Sequence, residues 1–138
     1  MPFRAQLKVR FGDIDHAGIV YYPRIVHYFH VAMEEYFSQA LREDYARVLE
    51  EHRLGLPTVH LEVDFRRPFK FGDSIEVEAR VSRIGTRSLT WDYRVFRSGS
   101  DEVCVEARIV TVCVQLDRFE PIAVPDWLRS RVTKFEGI

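Results

Sequence analysis

The segment from Ile25 to Phe37 constrains the fold more than any other part of the chain. Its apolar members are Ile25, Val26, Tyr28, Phe29, Val31, Ala32, Met33, Tyr36 and Phe37. They cover more than one face of a helix with 3.6 residues per turn. A helix apolar over so much of its circumference has to be buried on several sides, and a sheet wrapped around it supplies that cover. Pro23 fits the first turn, where its missing N–H costs nothing. The sheet is supplied by the rest of the chain. Gln6 to Arg10 alternates and Phe11 continues its apolar set, and Val59 to Phe65 alternates Val, Leu, Val, Phe against His60, Glu62 and Asp64. Ile75, Val77, Ala79 and Val81 alternate with Glu76, Glu78, Arg80 and Ser82, Leu89 to Phe96 is aromatic-rich, and Val103 to Val114 is a β-branched run. A second, more charged helix is expected from about Arg42 to His52, stopped at Gly55, and a short terminal helix from Pro125 to Val132.

The order is therefore strand, long helix, then four strands with no helix between them. Parallel crossovers need such helices, so the later strands are expected to pair as antiparallel neighbours. The fold class is α+β, an antiparallel sheet wrapped around a long central helix. At 138 residues the chain suits a single domain, 1–138. Its formal net charge of −1 leaves no basic excess for nucleic acid, although 20 Lys and Arg allow a local groove for a phosphorylated ligand. The N-terminal residues show no apolar signal region, and no apolar run approaches the roughly 20 residues of a membrane span. Cys104 and Cys113 fall in one strand run and read as buried thiols rather than a disulfide, which fits a reducing, cytoplasmic setting.

The chemistry concentrates in Phe11-Gly12-Asp13-Ile14-Asp15-His16-Ala17-Gly18-Ile19-Val20-Tyr21-Tyr22-Pro23. Two carboxylates stand in a glycine-bounded loop just before a helix start. That start presents unpaired N–H groups and the positive end of the helix dipole, which can hold a thioester carbonyl and the oxyanion formed on attack. A nearby carboxylate can activate water or attack the carbonyl itself. The same aspartates also fit plain turn-forming or capping roles. A calcium loop does not fit, because Ala17 and Arg24 occupy positions that need oxygen ligands.

At these residues the sequence resembles the 4-hydroxybenzoyl-CoA thioesterase family of the hotdog superfamily, over about Leu7 to Pro125. The pattern Phe-Gly-Asp-x-Asp-x-Ala-Gly-Ile-Val-x-Tyr-Pro stands intact. Further matches follow in order at Tyr36-Phe37, Leu56-Pro57-Thr58, Phe71-Gly72-Asp73 and Thr86-Arg87-Ser88. The resemblance implies a hotdog fold and hydrolysis of an acyl-CoA with an aromatic, hydroxybenzoyl-like or medium-sized acyl group, without cofactor or metal. It implies Asp15 as the catalytic carboxylate and the backbone N–H of Tyr22 as oxyanion donor. Thr86, Arg87 and Ser88 are implied as coenzyme A contacts, with Thr58 and His16 beside the substrate. Subunits are expected to pair through their sheets into a homodimer or a dimer of dimers, with active sites at the interface.

His16 departs from the family, standing where the aromatic-CoA member has proline. Tyr22 stands where the acyl-CoA branch linked to the Tol-Pal envelope system has histidine, which leans toward the aromatic branch. A second clade of aryl-CoA thioesterases uses a helical glutamate, for which Glu34 and Glu35 are the alternatives to Asp15. Two other readings compete: a hotdog dehydratase, which would want a His-led loop, and a non-catalytic acyl-CoA binding module on the same scaffold. His27, His30 and Glu34 sit at helical spacing but lack the second Glu-x-x-His motif of a di-iron site.

Overall fold

The computed structural model describes residues 2–138; Met1, the first residue of the expected domain, lies outside the described residues. Along the chain run β1 (Phe3–Lys8), α1 (Tyr22–Glu35), α2 (Tyr45–Glu50), β2 (Leu54–Gly55), β3 (Thr58–Phe65) and β4 (Ser74–Ile84). They are followed by β5 (Ser88–Arg97), β6 (Val103–Val112), β7 (Val114–Gln115), β8 (Glu120–Pro121) and α3 (Asp126–Glu136). Five strands form one sheet in the order β1-β4-β5-β6-β3, every pair antiparallel, and β2-β7-β8 form a small second sheet. This is the expected α+β hotdog arrangement. The inner face of the large sheet, with Val77 and Ala79 on β4 and Trp91 and Tyr93 on β5, is buried together with Ile25, Phe29, Ala32 and Met33 of α1. Phe29 lies 4.9 Å from Tyr93 between ring centroids, and Tyr36 meets Trp91 edge-on at 5.2 Å.

Three details differ from the expectation. Within this single protomer α1 is buried along one broad stripe rather than on several sides: Val26 and Val31 are half-buried and His27 and His30 are exposed. The second helix is only Tyr45–Glu50, because Arg42 adopts φ 59°, a left-handed conformation through which no helix continues. The four later strands are not neighbours in series. β3 crosses to the far edge and pairs with β6, while β1 takes the free side of β4 in the register Phe3↔Ala79 to Lys8↔Ser74. As an edge strand β3 is little covered by α1, so Val59 (59% exposed), Leu61 (45%) and Phe65 (51%) leave its apolar stripe largely open.

Both cysteines are buried free thiols, and burial pushes the Cys113 thiol up to about 11. No helix among the described residues is long and apolar enough to cross a membrane. At the centre of the core the Trp91 indole N–H donates to the Thr111 hydroxyl at 3.0 Å, joining β5 to β6. Thr111→Val keeps the shape and strands that buried N–H. It should destabilise the fold by about 1–3 kcal/mol, read as a fall of several degrees in Tm with little change in secondary structure.

Candidate active site

Between β1 and α1 the backbone builds a compact loop. Phe11–Asp13 form a single 3-10 turn, after which Ile14 and Val20 face each other in an antiparallel bridge. Inside that bridge the Asp15 N–H donates to the Ile19 carbonyl and the Gly18 N–H to the Asp15 carbonyl, each at 3.0 Å. The Ala17 N–H then donates to Asp15 Oδ1 at 2.8 Å. Aspartate at the first position and glycine at the fourth suit a tight turn of this kind, and Gly18 at φ 81° takes a conformation that a Cβ would penalise. Asp15 therefore has one oxygen tied into the turn. Its Oδ2 has no partner among the described residues, and the side chain is exposed.

Asp13 is engaged quite differently. Its Oδ2 accepts the Arg10 N–H at 2.9 Å and the Tyr28 O–H at 2.7 Å, and its backbone carbonyl accepts the Tyr21 N–H at 2.8 Å. One residue thus ties the end of β1, the middle of α1 and the entry to α1 together. Burial, and after it the bond to Asp13, pushes the Tyr28 phenol well above its usual range, so it remains a donor.

Tyr21 is extended at φ −64°, ψ 124° and caps α1, with Pro23 in the first turn. The Arg24 N–H donates to the Tyr21 carbonyl at 2.8 Å and proline has no N–H, and the Tyr22 N–H at the positive end of the helix has no acceptor among the described residues. A cleft of about 510 Å³ brings Asp15 together with Tyr21, Pro23, Arg24 and His27. A carboxylate with a free oxygen beside an unpaired helix-start N–H is a pair that can polarise a carbonyl and deliver a base or nucleophile to it.

The other candidates lie elsewhere. His16 is exposed at the tip of the Asp15–Gly18 turn. Thr86 and Arg87 lie in the turn between β4 and β5 and Ser88 opens β5, braced by the Val124 N–H on the Thr86 carbonyl at 2.9 Å and the Cys113 N–H on the Arg87 carbonyl at 2.8 Å. Thr58 opens β3 near that same end, where it pairs with Thr111. The Asp15 loop follows β1 at the opposite end of the sheet, beside the start of β4. β4 is 11 residues long, so the two groups are separated by about 35 Å along the strand. One protomer does not bring them together.

The helical glutamates are engaged locally: Glu34 reaches His30 at 3.2 Å, and Glu35 accepts from the Gln39 amide. Two residues were not legible as part of the site. Tyr28 reads as core in the sequence, and nothing in its spacing from Asp13 signals the bond between them. Phe65 ends β3 with its ring 6.3 Å from that of Tyr22, a contact set by the crossover of β3 that the strand pattern does not reveal.

Residues 9–132 match the thioesterase-like superfamily. The chain belongs to that superfamily. A 1,4-dihydroxy-2-naphthoyl-CoA hydrolase of Gloeothece citriformis is 30% identical over 137 residues, covering 94% of this chain and 94% of that protein. The acyl-CoA thioesterase YbgC of Haemophilus influenzae is 28% identical over 128 residues, covering 93% and 92%. The solved structure of Slr0204, a 1,4-dihydroxy-2-naphthoyl-CoA thioesterase from Synechocystis, superposes with a TM-score of 0.84 at 23% identity over 96% of each chain, a likeness of fold. The expectation of a thioester-cleaving enzyme on a hotdog fold is met. The superfamily is the level at which the match holds; the 4-hydroxybenzoyl-CoA branch is a finer placement than the match gives.

Because one Asp13 oxygen carries two donors, Asp13→Ala should lower stability by about 1–3 kcal/mol. It should also speed amide hydrogen exchange at Arg10 and Tyr21 well before global unfolding. Unchanged exchange at both amides would mean that the loop is held by other contacts.

Proposed function

We propose that this chain, acting as one hotdog domain over residues 1–138, hydrolyses coenzyme A thioesters of aromatic or medium-sized acyl groups. The observation that carries the reading is the cleft that Asp15 shares with Tyr21 and Pro23, the two residues flanking Tyr22 at the helix start, in a chain of the thioesterase-like superfamily. The thioester carbonyl oxygen points at the Tyr22 N–H, where developing negative charge meets an unpaired donor and the helix dipole. Asp15 keeps one oxygen in the turn and presents the other. That oxygen either removes a proton from water as water attacks the carbonyl carbon, or attacks the carbon itself to give an acyl-enzyme that water then opens. In both routes the carbon–sulfur bond breaks, the thiolate takes up a proton, and the products are a carboxylic acid and free coenzyme A. The aromatic preference rests on the naphthoyl-CoA hydrolases among the relatives and on Tyr21 at the cleft, with the Tyr22 ring packed against it.

Replacing Asp15 by Asn keeps size and the turn bond from Ala17 while removing the base or nucleophile. Thiol release from acyl-CoA should fall by roughly 10²–10⁴ with KM and Tm nearly unchanged. Near wild-type hydrolysis by Asp15→Asn would transfer the assignment to Glu34 or Glu35.

The site as read is completed by a second subunit. β3 is an uncovered edge with an exposed apolar stripe, a surface that proteins usually pair or hide. A two-fold copy pairing antiparallel along β3 sets the Thr58 end of one strand beside the Phe65 end of the other. Thr58 and the Thr86–Ser88 turn of the partner then approach Tyr22 and Asp15, where Arg87 meets coenzyme A phosphates. This arrangement has a specific consequence for mixtures. Asp15→Asn and Arg87→Ala each cripple their own homodimer, the second through a raised KM. Exchanged heterodimers contain one site with both residues intact, so a one-to-one mixture should recover about a quarter of wild-type activity at low substrate. Activity equal to the mean of the two parents, or a stable monomer by light scattering, would remove the intersubunit site.

A further inference from the structure

The flank of α1 that faces β1 carries bases with few acids to match them. Arg24 and His27 line the cleft of Asp15 and also a second cleft of about 600 Å³ that runs between α1 and β1, where Lys8 and Arg10 join the wall. On the open face of the large sheet arginines sit close to acids: Arg94 with Glu78 at 2.8 Å, Arg108 with Asp92 at 2.9 Å, Arg4 with Glu76 at 3.1 Å. Here Arg24 reaches an acid only at 4.0 Å, on Asp13 Oδ1. Lys8, Arg10 and His27 take part in no ion pair among the described residues. Asp13 is the single acid in the second cleft, and its Oδ2 is already occupied by the Arg10 N–H and the Tyr28 O–H. The two clefts adjoin at Arg24 and His27, a trough beside Asp15 in which Lys8, Arg10 and Arg24 outnumber Asp13 and Asp15.

The flank of the helix decides which part of a substrate meets this trough. Tyr22 looks toward β3, where its ring approaches Phe65, whereas Arg24 and Tyr28 look toward β1. On the proposed pairing, Arg87 of the partner arrives from the β3 side together with the coenzyme A phosphates. A thioester carbon held at the Tyr22 N–H, with its sulfur leaving toward β3, directs its acyl group to the β1 side. We infer that the preferred acyl group carries a second carboxylate, received in this trough by Arg24 with support from His27 and Lys8, and that Arg24 is a specificity-determining residue. This rests on the thioesterase reading and narrows its substrate class. A bare hydrocarbon would meet Leu7 and Val31 of the same wall but would leave Arg24 and Lys8 without a partner. A carboxylate gains charge-assisted hydrogen bonds from a planar guanidinium.

The experiment compares benzoyl-CoA with 3-carboxybenzoyl-CoA, thioesters matched in ring and leaving group, by steady-state thiol release from the wild-type protein, Arg24→Gln and Lys8→Gln. The quantity read is the ratio of the two kcat/KM values, which cancels general damage to the site or the fold. Wild type should favour the carboxylated thioester by about tenfold, a modest figure because the guanidinium is half exposed. The ratio should drop toward one in Arg24→Gln, drop partly in Lys8→Gln, and shrink in wild type when ionic strength is raised to about 0.5 M. A wild-type ratio of one or less, or a ratio unmoved by Arg24→Gln, overturns the inference while leaving the hydrolase reading standing. So does an Arg24→Gln protein that loses both substrates equally and is inhibited less by free coenzyme A, since the trough would then be holding phosphates. If neither these thioesters nor any other acyl-CoA is cleaved, the hydrolase reading itself falls and the inference falls with it.

Discussion

The bond between Tyr28 and Asp13 fixes everything that follows it in the site. Tyr28 is buried on α1, and its hydroxyl reaches out of the core at 2.7 Å to a carboxylate on the loop. The same oxygen holds the Arg10 N–H, so the end of β1, the loop and the helix become one body. Only then does the small bridge of Ile14 and Val20 present Asp15 at a fixed place beside the start of α1. The two aspartates of the motif divide their work by environment. Asp13 is surrounded by donors and serves structure, while Asp15 keeps an oxygen free and faces the cleft. A carboxylate without that tether would still be near the helix, but not within the fraction of an ångström that oriented attack on a carbonyl requires.

The second constraint is the sheet edge. Strand order β1-β4-β5-β6-β3 places the Asp15 loop beside the start of β4 and the Thr86–Ser88 segment at its other end. No motion of a single protomer closes that span, because both ends belong to the same rigid, hydrogen-bonded strand. The free edge of β3 runs between the two ends, with Thr58 near the turn and Phe65 near Tyr22. A two-fold axis through that edge would exchange the ends, so the strand left open on one side would be the route by which the halves of the proposed site meet.

Much of this was legible in the sequence, and the limits have physical causes. The α+β class followed from one over-apolar helix and alternating strands, since those periodicities report burial directly. The loop before the helix was legible because glycine, aspartate and proline have strong local preferences. The position of β3 was not. Val59 to Phe65 alternates as a core strand does, yet three of its apolar residues are exposed, because alternation reports which face is apolar and not whether the protomer itself covers it. The same ambiguity made α1 look wrapped on several sides when Val26 and Val31 are only half-buried. In both places the sequence carries apolar surface in excess of what one protomer hides. The start of the second helix depended on Arg42 taking a left-handed conformation, a choice no propensity scale favours for arginine.

That excess surface bears on catalysis as well as assembly. In the lone protomer Asp15 and Tyr22 are exposed, and in water an N–H directed at an oxyanion competes with solvent for little net gain. The residues that ring them, Tyr21, Tyr22 and Phe65, are large, apolar over most of their surface and uncovered. A subunit seated along β3 would bury those rings, and in doing so would lower the local dielectric around the Tyr22 N–H and the free Asp15 oxygen. The hydrophobic gain that drives association and the electrostatic gain that stabilises the transition state would then come from displacing the same water. On that view the exposed aromatic rim beside the loop is not left over from folding. It would be the part of the core that the chain withholds until a partner arrives.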